Sequence, residues 1–209
     1  MSSTPEHSLL SLAPVVPVVV IDRLGDAVPV AEALVAGGIP VIELTLRTPV
    51  ALDAIRAIAT SVPGITVGAG TVTSPGLAKE AHDAGAQFLV SPGATPALLA
   101  GMHDTGLPFL PGTATVSEVM AALEAGCTEL KFFPAEASGG AAYLSSLTSV
   151  VPAARFCPTG GITAATAPSY LALGNVGCVG GSWLTPASVL DAGDWGRVTA
   201  LAAEAARLG

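Results

Sequence analysis

Charge is scarce in this chain. Only 11% of its 209 residues are Asp, Glu, Lys or Arg, against 51% apolar residues, and that imbalance first raises a membrane-spanning role. A spanning helix needs about 18 or more apolar residues free of turn formers and charges. No such run exists; the most apolar one, Ala13 to Ile21, is short and holds Pro14 and Pro17. Basic residues are few and unclustered and the net charge is −8, which argues against a nucleic-acid surface. The three cysteines, Cys127, Cys157 and Cys178, are too few and too isolated for a disulfide framework or a zinc site, and read as small buried hydrophobes. His7, His82 and His103 form no His/Asp/Glu cluster at metal-ligand spacing, so no catalytic metal is expected. Met1 to His7 lacks the basic region of a secretory signal, and the expected location is cytoplasmic.

Two patterns alternate through the rest. Short runs rich in β-formers end in Gly, Pro, Thr or Ser, at about 15–21, 39–46, 65–70, 87–91, 108–111, 129–133, 154–158 and 176–180. Each is followed by an Ala/Leu-rich stretch of about three helical turns. Alternating strands and helices imply βαβ units and a parallel sheet, whose doubly covered strands account for the apolar excess. Eight units in 209 residues predict one (β/α)8 barrel domain spanning 1–209. A lead-in helix is expected over 5–12 and an amphipathic terminal helix over 194–208. Thr48-Pro49, Ser74-Pro75, Thr95-Pro96 and Thr185-Pro186 read as helix starts, and Thr115 to Glu118 has capping-box spacing. Gly37, Gly85, Gly106, Gly126 and Gly174 read as left-handed helix ends.

Polar residues interrupt this pattern at informative places. In Val41 to Arg47, Ile42, Leu44 and Leu46 share one face and Glu43, Thr45 and Arg47 the other. The apolar face belongs against helices, so Glu43 and Arg47 point inward or toward the barrel mouth. Buried charges are costly unless paired or used; a structural Glu43–Arg47 pair is the bland alternative. The chain has two lysines. Lys79 lies in a helical stretch and is expected to reach water. Lys131 sits mid-strand in Glu129-Leu130-Lys131-Phe132-Phe133-Pro134, with no route to solvent inside a barrel. Desolvation favours a neutral amine, which attacks ketones readily. Here the bland alternative is an inert Lys131–Glu43 ion pair. Thr159-Gly160-Gly161 and Gly180-Gly181-Ser182 close the seventh and eighth strands, where barrel enzymes often bind phosphate through backbone N–H groups and a helix N-terminus. Two tight βα turns would have the same composition.

These segments resemble the bacterial 2-keto-3-deoxy-6-phosphogluconate (KDPG) and 4-hydroxy-2-oxoglutarate (KHG) aldolase family. The matches run in family order from about Pro14 to Arg207: Val41 to Thr48, Val67 to Val72, Ser91-Pro92-Gly93, Lys131 to Glu136, Cys157 to Ile162 and Gly180 to Leu184. The Lys-Phe-Phe-Pro-Ala-Glu and Arg-Phe-Cys-Pro-Thr-Gly-Gly segments are the specific ones. The resemblance implies a metal-free and cofactor-free class I lyase of the Entner–Doudoroff pathway, acting on a phosphorylated keto acid and usually assembled as a homotrimer. It makes Lys131 the Schiff-base lysine and Glu43 the general acid/base. Arg47 and Thr71 would hold the substrate carboxylate, Pro92 and Phe133 would shape the keto-acid pocket, and Thr159, Gly160, Gly161, Gly181 and Ser182 would line the substrate site at its phosphate end. Val116 stands where many members have Pro, outside the matched catalytic positions. Rival readings are a 2-keto-3-deoxy-6-phosphogalactonate aldolase, a phosphosugar isomerase or epimerase, and a non-catalytic binding barrel.

Overall fold

A computed structural model describes residues 8–209. A 3-10 turn, Leu9–Ser11, leads into β1 (Val15–Val19). A second turn, Leu24–Asp26, precedes α1 (Ala27–Ala36), and β2 (Val41–Thr45), α2 (Ala51–Ser61), β3 (Thr66–Gly70), α3 (Pro75–Asp83), β4 (Phe88–Val90) and α4 (Pro96–Asp104) follow. The second half holds β5 (Phe109–Leu110), β6 (Gly112–Thr113), α5 (Val116–Glu124), β7 (Glu129–Phe132), α6 (Gly140–Leu147), β8 (Arg155–Pro158), α7 (Ala167–Leu171) and β9 (Val179–Gly181). The chain ends in α8 (Ala187–Asp191), α9 (Trp195–Ala205) and a 3-10 turn, Ala206–Leu208. Each predicted strand therefore has a counterpart, most of them trimmed by one or more residues, while β9 runs one residue past the predicted end at 180. The lead-in element is three residues of 3-10 helix, and positions 5–7 of that expectation lie outside the described residues.

The strands form two parallel sheets, ordered β5-β4-β3-β2-β1-β9 and β6-β7-β8, in a curled half-barrel. The break between them is chemical. Pro111 separates β5 from β6 and carries no N–H to continue the ladder; the predicted fifth strand, 108–111, is met by β5 alone, and β6 lies past its predicted end. The Pro111 carbonyl still accepts from Lys131 N at 2.9 Å. At the other side, isolated parallel bridges join Phe156 to Val176 and Thr159 to Gly180.

Helix starts divide by whether the hydroxyl is free to turn back. Ser74 and Thr95 accept from Leu77 N and Leu98 N, each with Pro in the first turn, and Thr115 with Glu118 completes both arms of a capping box. Thr48 does not cap: its hydroxyl donates to Ile21 O at 2.6 Å, and α2 begins at Ala51. Thr185 does not cap either, since α8 starts after Pro186. Among the expected helix-end glycines, Gly85, Gly106 and Gly126 have positive φ, but Gly37 and Gly174 do not; Gly38 takes that conformation beside Gly37.

Gly37 has a different use. A Cβ there would sit 2.4 Å from Ala202 Cβ, so the missing side chain lets α9 lie against α1. The buried face of α9 is Val198, Ala202 and Ala205, spaced as an amphipathic helix requires. Apolar side chains from strands and helices form one core, including fully covered Val15, Val19, Ile42, Leu44, Val67, Leu89, Leu130 and Phe156. Cys127, Cys157 and Cys178 are buried free thiols. No helix among the described residues is long and apolar enough to cross a membrane.

Candidate active site

The two predicted buried charges lie on strands of different sheets. Glu43 on β2 pairs with Val18 on β1 and Gly68 on β3; Lys131 on β7 lies between Gly112 on β6 and Cys157 on β8. Though far apart along the sheets, the two side chains meet: Lys131 Nζ donates to Glu43 Oε1 at 3.1 Å. Glu43 is 2% exposed and Lys131 5%. The ammonium and carboxylate thus satisfy each other in a dry interior, where either alone would carry a desolvation penalty of several kcal/mol. The ion pair weighed as the bland alternative exists; Glu43 makes it with Lys131, not with Arg47. An ion pair does not rule out chemistry, because the carboxylate is placed to take the lysine's proton.

Room for this pair comes from glycine. A Cβ at Gly70 would fall 2.2 Å from Glu43 Oε1 and 2.7 Å from its Cγ. Likewise, a Cβ at Gly112 would fall 2.2 Å from the Pro92 carbonyl carbon, so the loop after β4 closes directly over β6. Thr71, immediately beyond Gly70, has φ +60°, an uncommon conformation for a β-branched residue. Lys79, by contrast, projects from α3 into water and pairs with Asp83.

A cleft of about 150 Å³ opens nearby, lined by Val18, Arg47, Phe133, Thr159, Gly160, Gly161, Ile162, Gly180, Gly181 and Ser182. Phe133 links it to the ion pair: its ring lines the cleft, and its centroid lies 5.3 Å from Lys131 Nζ. Arg47 is exposed at the mouth, with no salt bridge among the described residues. Gly160 and Gly161 adopt φ of +103° and +81°. Side chains are excluded from the cradle: Cβ atoms would come within 2.1 Å of Thr159 Oγ1 at Gly180 and 1.9 Å of the Trp183 ring at Gly181. The expected helix N-terminus is not adjacent in sequence, because α7 starts only at Ala167; backbone N–H groups of the loop, with Arg47, are left to receive an anion. A larger neighbouring cavity of about 420 Å³ shares Val18 and Ser182, but Asp22, Asp26 and Asp191 line it, an unsuitable rim for an anion.

Nine of the eleven predicted site residues therefore converge on the ion pair or the cleft: Lys131 and Glu43 on the first, and Arg47, Phe133, Thr159, Gly160, Gly161, Gly181 and Ser182 on the second, with Phe133 touching both.

 The other two, Thr71 and Pro92, do not line that cleft; they follow β3 and β4 beside Gly70 and Gly112 respectively. Residues that sequence reasoning missed are Gly70, Gly112, Val18 and Ile162. Their signal is space or position, which no motif spacing carries.

Fold and site together define a parallel α/β protein whose strands hold a dry lysine–carboxylate pair beside a glycine-lined cleft suited to an anion. The sequence profile of the KDPG and KHG aldolases matches residues 7–201. The KHG/KDPG aldolase of Escherichia coli (strain K12) is 53% identical over 202 residues, covering 97% of this chain and 95% of its own. A KDPG aldolase from Legionella pneumophila, with pyruvate captured as a covalent carbinolamine intermediate, superposes with TM-score 0.92 at 45% identity, covering 94% of this chain and 96% of its own. A structure described as native KDPGal superposes with TM-score 0.85 at 25% identity, over 100% and 97%. The chain belongs to the KDPG and KHG aldolase family.

Proposed function

We propose that this chain is a class I aldolase cleaving 2-keto-3-deoxy-6-phosphogluconate to pyruvate and glyceraldehyde 3-phosphate, and 4-hydroxy-2-oxoglutarate to pyruvate and glyoxylate. The observation that carries this reading is the buried 3.1 Å contact between Lys131 Nζ and Glu43 Oε1. Glu43 takes the proton of Lys131, and the neutral amine attacks the C2 ketone to give a carbinolamine. Glu43 returns its proton to the departing hydroxyl, and loss of water forms an iminium. Glu43, directly or through a water, removes the C4 hydroxyl proton; the C3–C4 bond breaks, its electrons enter the iminium, and the aldehyde leaves. The enamine is protonated at C3, and hydrolysis releases pyruvate and the free lysine. Covalent catalysis divides one difficult step into easier ones, and general base catalysis contributes a factor of about 10² to 10⁴.

Arg47 and Thr71 hold the carboxylate in this reading, Arg47 through its planar fork. Pro92 and Phe133 shape the pocket around the keto acid. Thr159, Gly160, Gly161, Gly181 and Ser182 receive the phosphate end, which supplies positioning far from the breaking bond. The same reading takes 1–209 as one domain and the two sheets as arcs of a closed (β/α)8 ring, supported by the bridges between β8 and the β9 region and by the chain's continuity through Pro111. It takes the assembly as a homotrimer, in line with the family resemblance, and the location as the cytoplasm, whose reducing conditions suit three free thiols.

The test is a side-by-side assay of the gluconate-derived, galactonate-derived and hydroxyoxoglutarate substrates with the purified chain. Fastest release of pyruvate from 2-keto-3-deoxy-6-phosphogluconate is expected. Preference for the galactonate epimer would reassign the substrate, and no pyruvate from any of the three would overturn the reading.

A further inference from the structure

The motif that ends in Glu136 contains a group the chemistry above does not use. Glu136 lies in the loop after β7, and Tyr170 on α7 donates a 2.7 Å hydrogen bond to its Oε1. Tyr170 is 1% exposed. Burial, and then Glu136 itself, push the tyrosine hydroxyl well above its ordinary range, so it stays a donor throughout the working pH range. The carboxylate cannot donate in return when ionised, and the bond therefore has a fixed direction.

This bond lies beside the glycine cradle. Glu136 N donates to Gly160 O at 3.1 Å, and Ala135 N to Thr159 O at 2.8 Å. The carbonyls of Thr159 and Gly160 are thereby turned toward the loop after β7. The Glu136 stem lies against Gly161, where an added Cβ would meet its Cβ and Cγ at 2.8 Å. Gly140 fits the same corner: a Cβ there would lie 3.2 Å from the Tyr170 oxygen and 3.8 Å from Glu136 Oε2. Three parts of the chain, the loop after β7, the Gly160–Gly161 turn and α7, therefore meet at one hydrogen-bonded carboxylate.

We propose that Tyr170 and Glu136 are positioning residues for the substrate's phosphate group, holding the Gly160–Gly161 turn in its anion-receiving shape without touching the substrate. The inference rests on the reading of that turn as the phosphate site. Bringing a second negative charge near a phosphate is unfavourable by itself; anchoring one carboxylate oxygen on a buried hydroxyl fixes where that charge lies. A hydrogen bond to a charged acceptor is stronger than a neutral one, so it can hold two loops in register.

The test compares the parent with Tyr170→Phe, Glu136→Ala and Glu136→Gln. Tyr170→Phe keeps the buried ring and removes one oxygen. KM for 2-keto-3-deoxy-6-phosphogluconate should rise about tenfold, while KM for the phosphate-free 4-hydroxy-2-oxoglutarate and both kcat values stay within about twofold. Glu136→Ala should match it. Glu136→Gln, whose amide oxygen still accepts, should restore most of the difference. Equal losses on both substrates, or no loss on either, would overturn the proposal. Phosphorus NMR titration with inorganic phosphate separates this from failure of the aldolase reading. Phosphate binding by the parent that weakens about tenfold in Tyr170→Phe supports the proposal even if no substrate is cleaved. Unchanged binding, or none by the parent, refutes it.

Discussion

Replacing Gly70 by Ala tests the arrangement of the buried pair through one added carbon. The new Cβ would lie 2.2 Å from Glu43 Oε1, 2.7 Å from Cγ and 2.8 Å from Cδ. Ordinary contact begins near 3.4 Å, so the carboxylate oxygen must move by about 1.2 Å, the difference between 3.4 and 2.2. Glu43 is buried and hydrogen-bonded to Lys131, and the clash reaches its Cγ and Cδ as well as its terminal oxygen, so the shift must displace the paired carboxylate. Overpacking of this kind costs about 1–3 kcal/mol, and the lower chain entropy of Ala returns about 0.4–1 kcal/mol. At about 2–4 °C per kcal/mol for a domain of this size, the melting temperature should fall by a few degrees, leaving the protein folded at assay temperature. Misplacing a reacting group by about 1 Å costs on the order of 10²-fold in rate. Turnover on 2-keto-3-deoxy-6-phosphogluconate should thus drop about a hundredfold while borohydride still traps pyruvate on the enzyme, because Lys131 remains. Turnover within threefold of the parent would refute the placement of the Glu43 carboxylate against Gly70.

Glu43→Gln should retain imine trapping and lose about 10²- to 10⁴-fold in kcat; near-normal kcat in a steady-state assay would remove Glu43 from proton transfer. Arg47→Ala should raise KM for the keto acid by roughly 10- to 100-fold, the range for a lost hydrogen bond between charged groups, and leave thermal stability within about 0.5 kcal/mol because the side chain is exposed. An unchanged KM would place the substrate carboxylate elsewhere. Glu118 is held below its ordinary range by the Ala114 N–H and then by Thr115. Its ionised form therefore stabilises the fold above the ordinary glutamate range, and that contribution is lost as pH falls through the lower folded value. Melting of the parent and Glu118→Gln should converge as the pH is lowered; a gap that widens toward acid would reverse the sign. Solvent exposure keeps the effect small.

Much of this architecture was legible because strand and helix patterns alternate without interruption. The hydrophobic period revealed where most strands and helices lie, though not β6, and Ser74, Thr95 and the Thr115–Glu118 box gave three helix starts correctly. Thr48 and Thr185 misled for a local reason: a hydroxyl before proline caps only when no other partner or geometry claims that turn, and Thr48 is claimed by Ile21 O. Pro111 had a legible consequence, a missing ladder donor, yet strand spacing alone did not expose it. In the site, Lys131 and Glu43 were conspicuous as charges in apolar strands. Their mutual contact was readable only as one alternative beside a Glu43–Arg47 pair, because it crosses 88 positions of sequence and depends on the curl of the sheets. Gly70 and Gly112 were silent for a similar reason: the contacts that forbid a side chain there exist only after folding.

The most direct measurement is borohydride reduction of the chain in the presence of pyruvate, followed by peptide mass spectrometry. One reduced pyruvyl adduct is expected, on the peptide carrying Lys131, with exposed Lys79 unmodified. An adduct on Lys79, or efficient turnover with no adduct at all, would contradict that expectation.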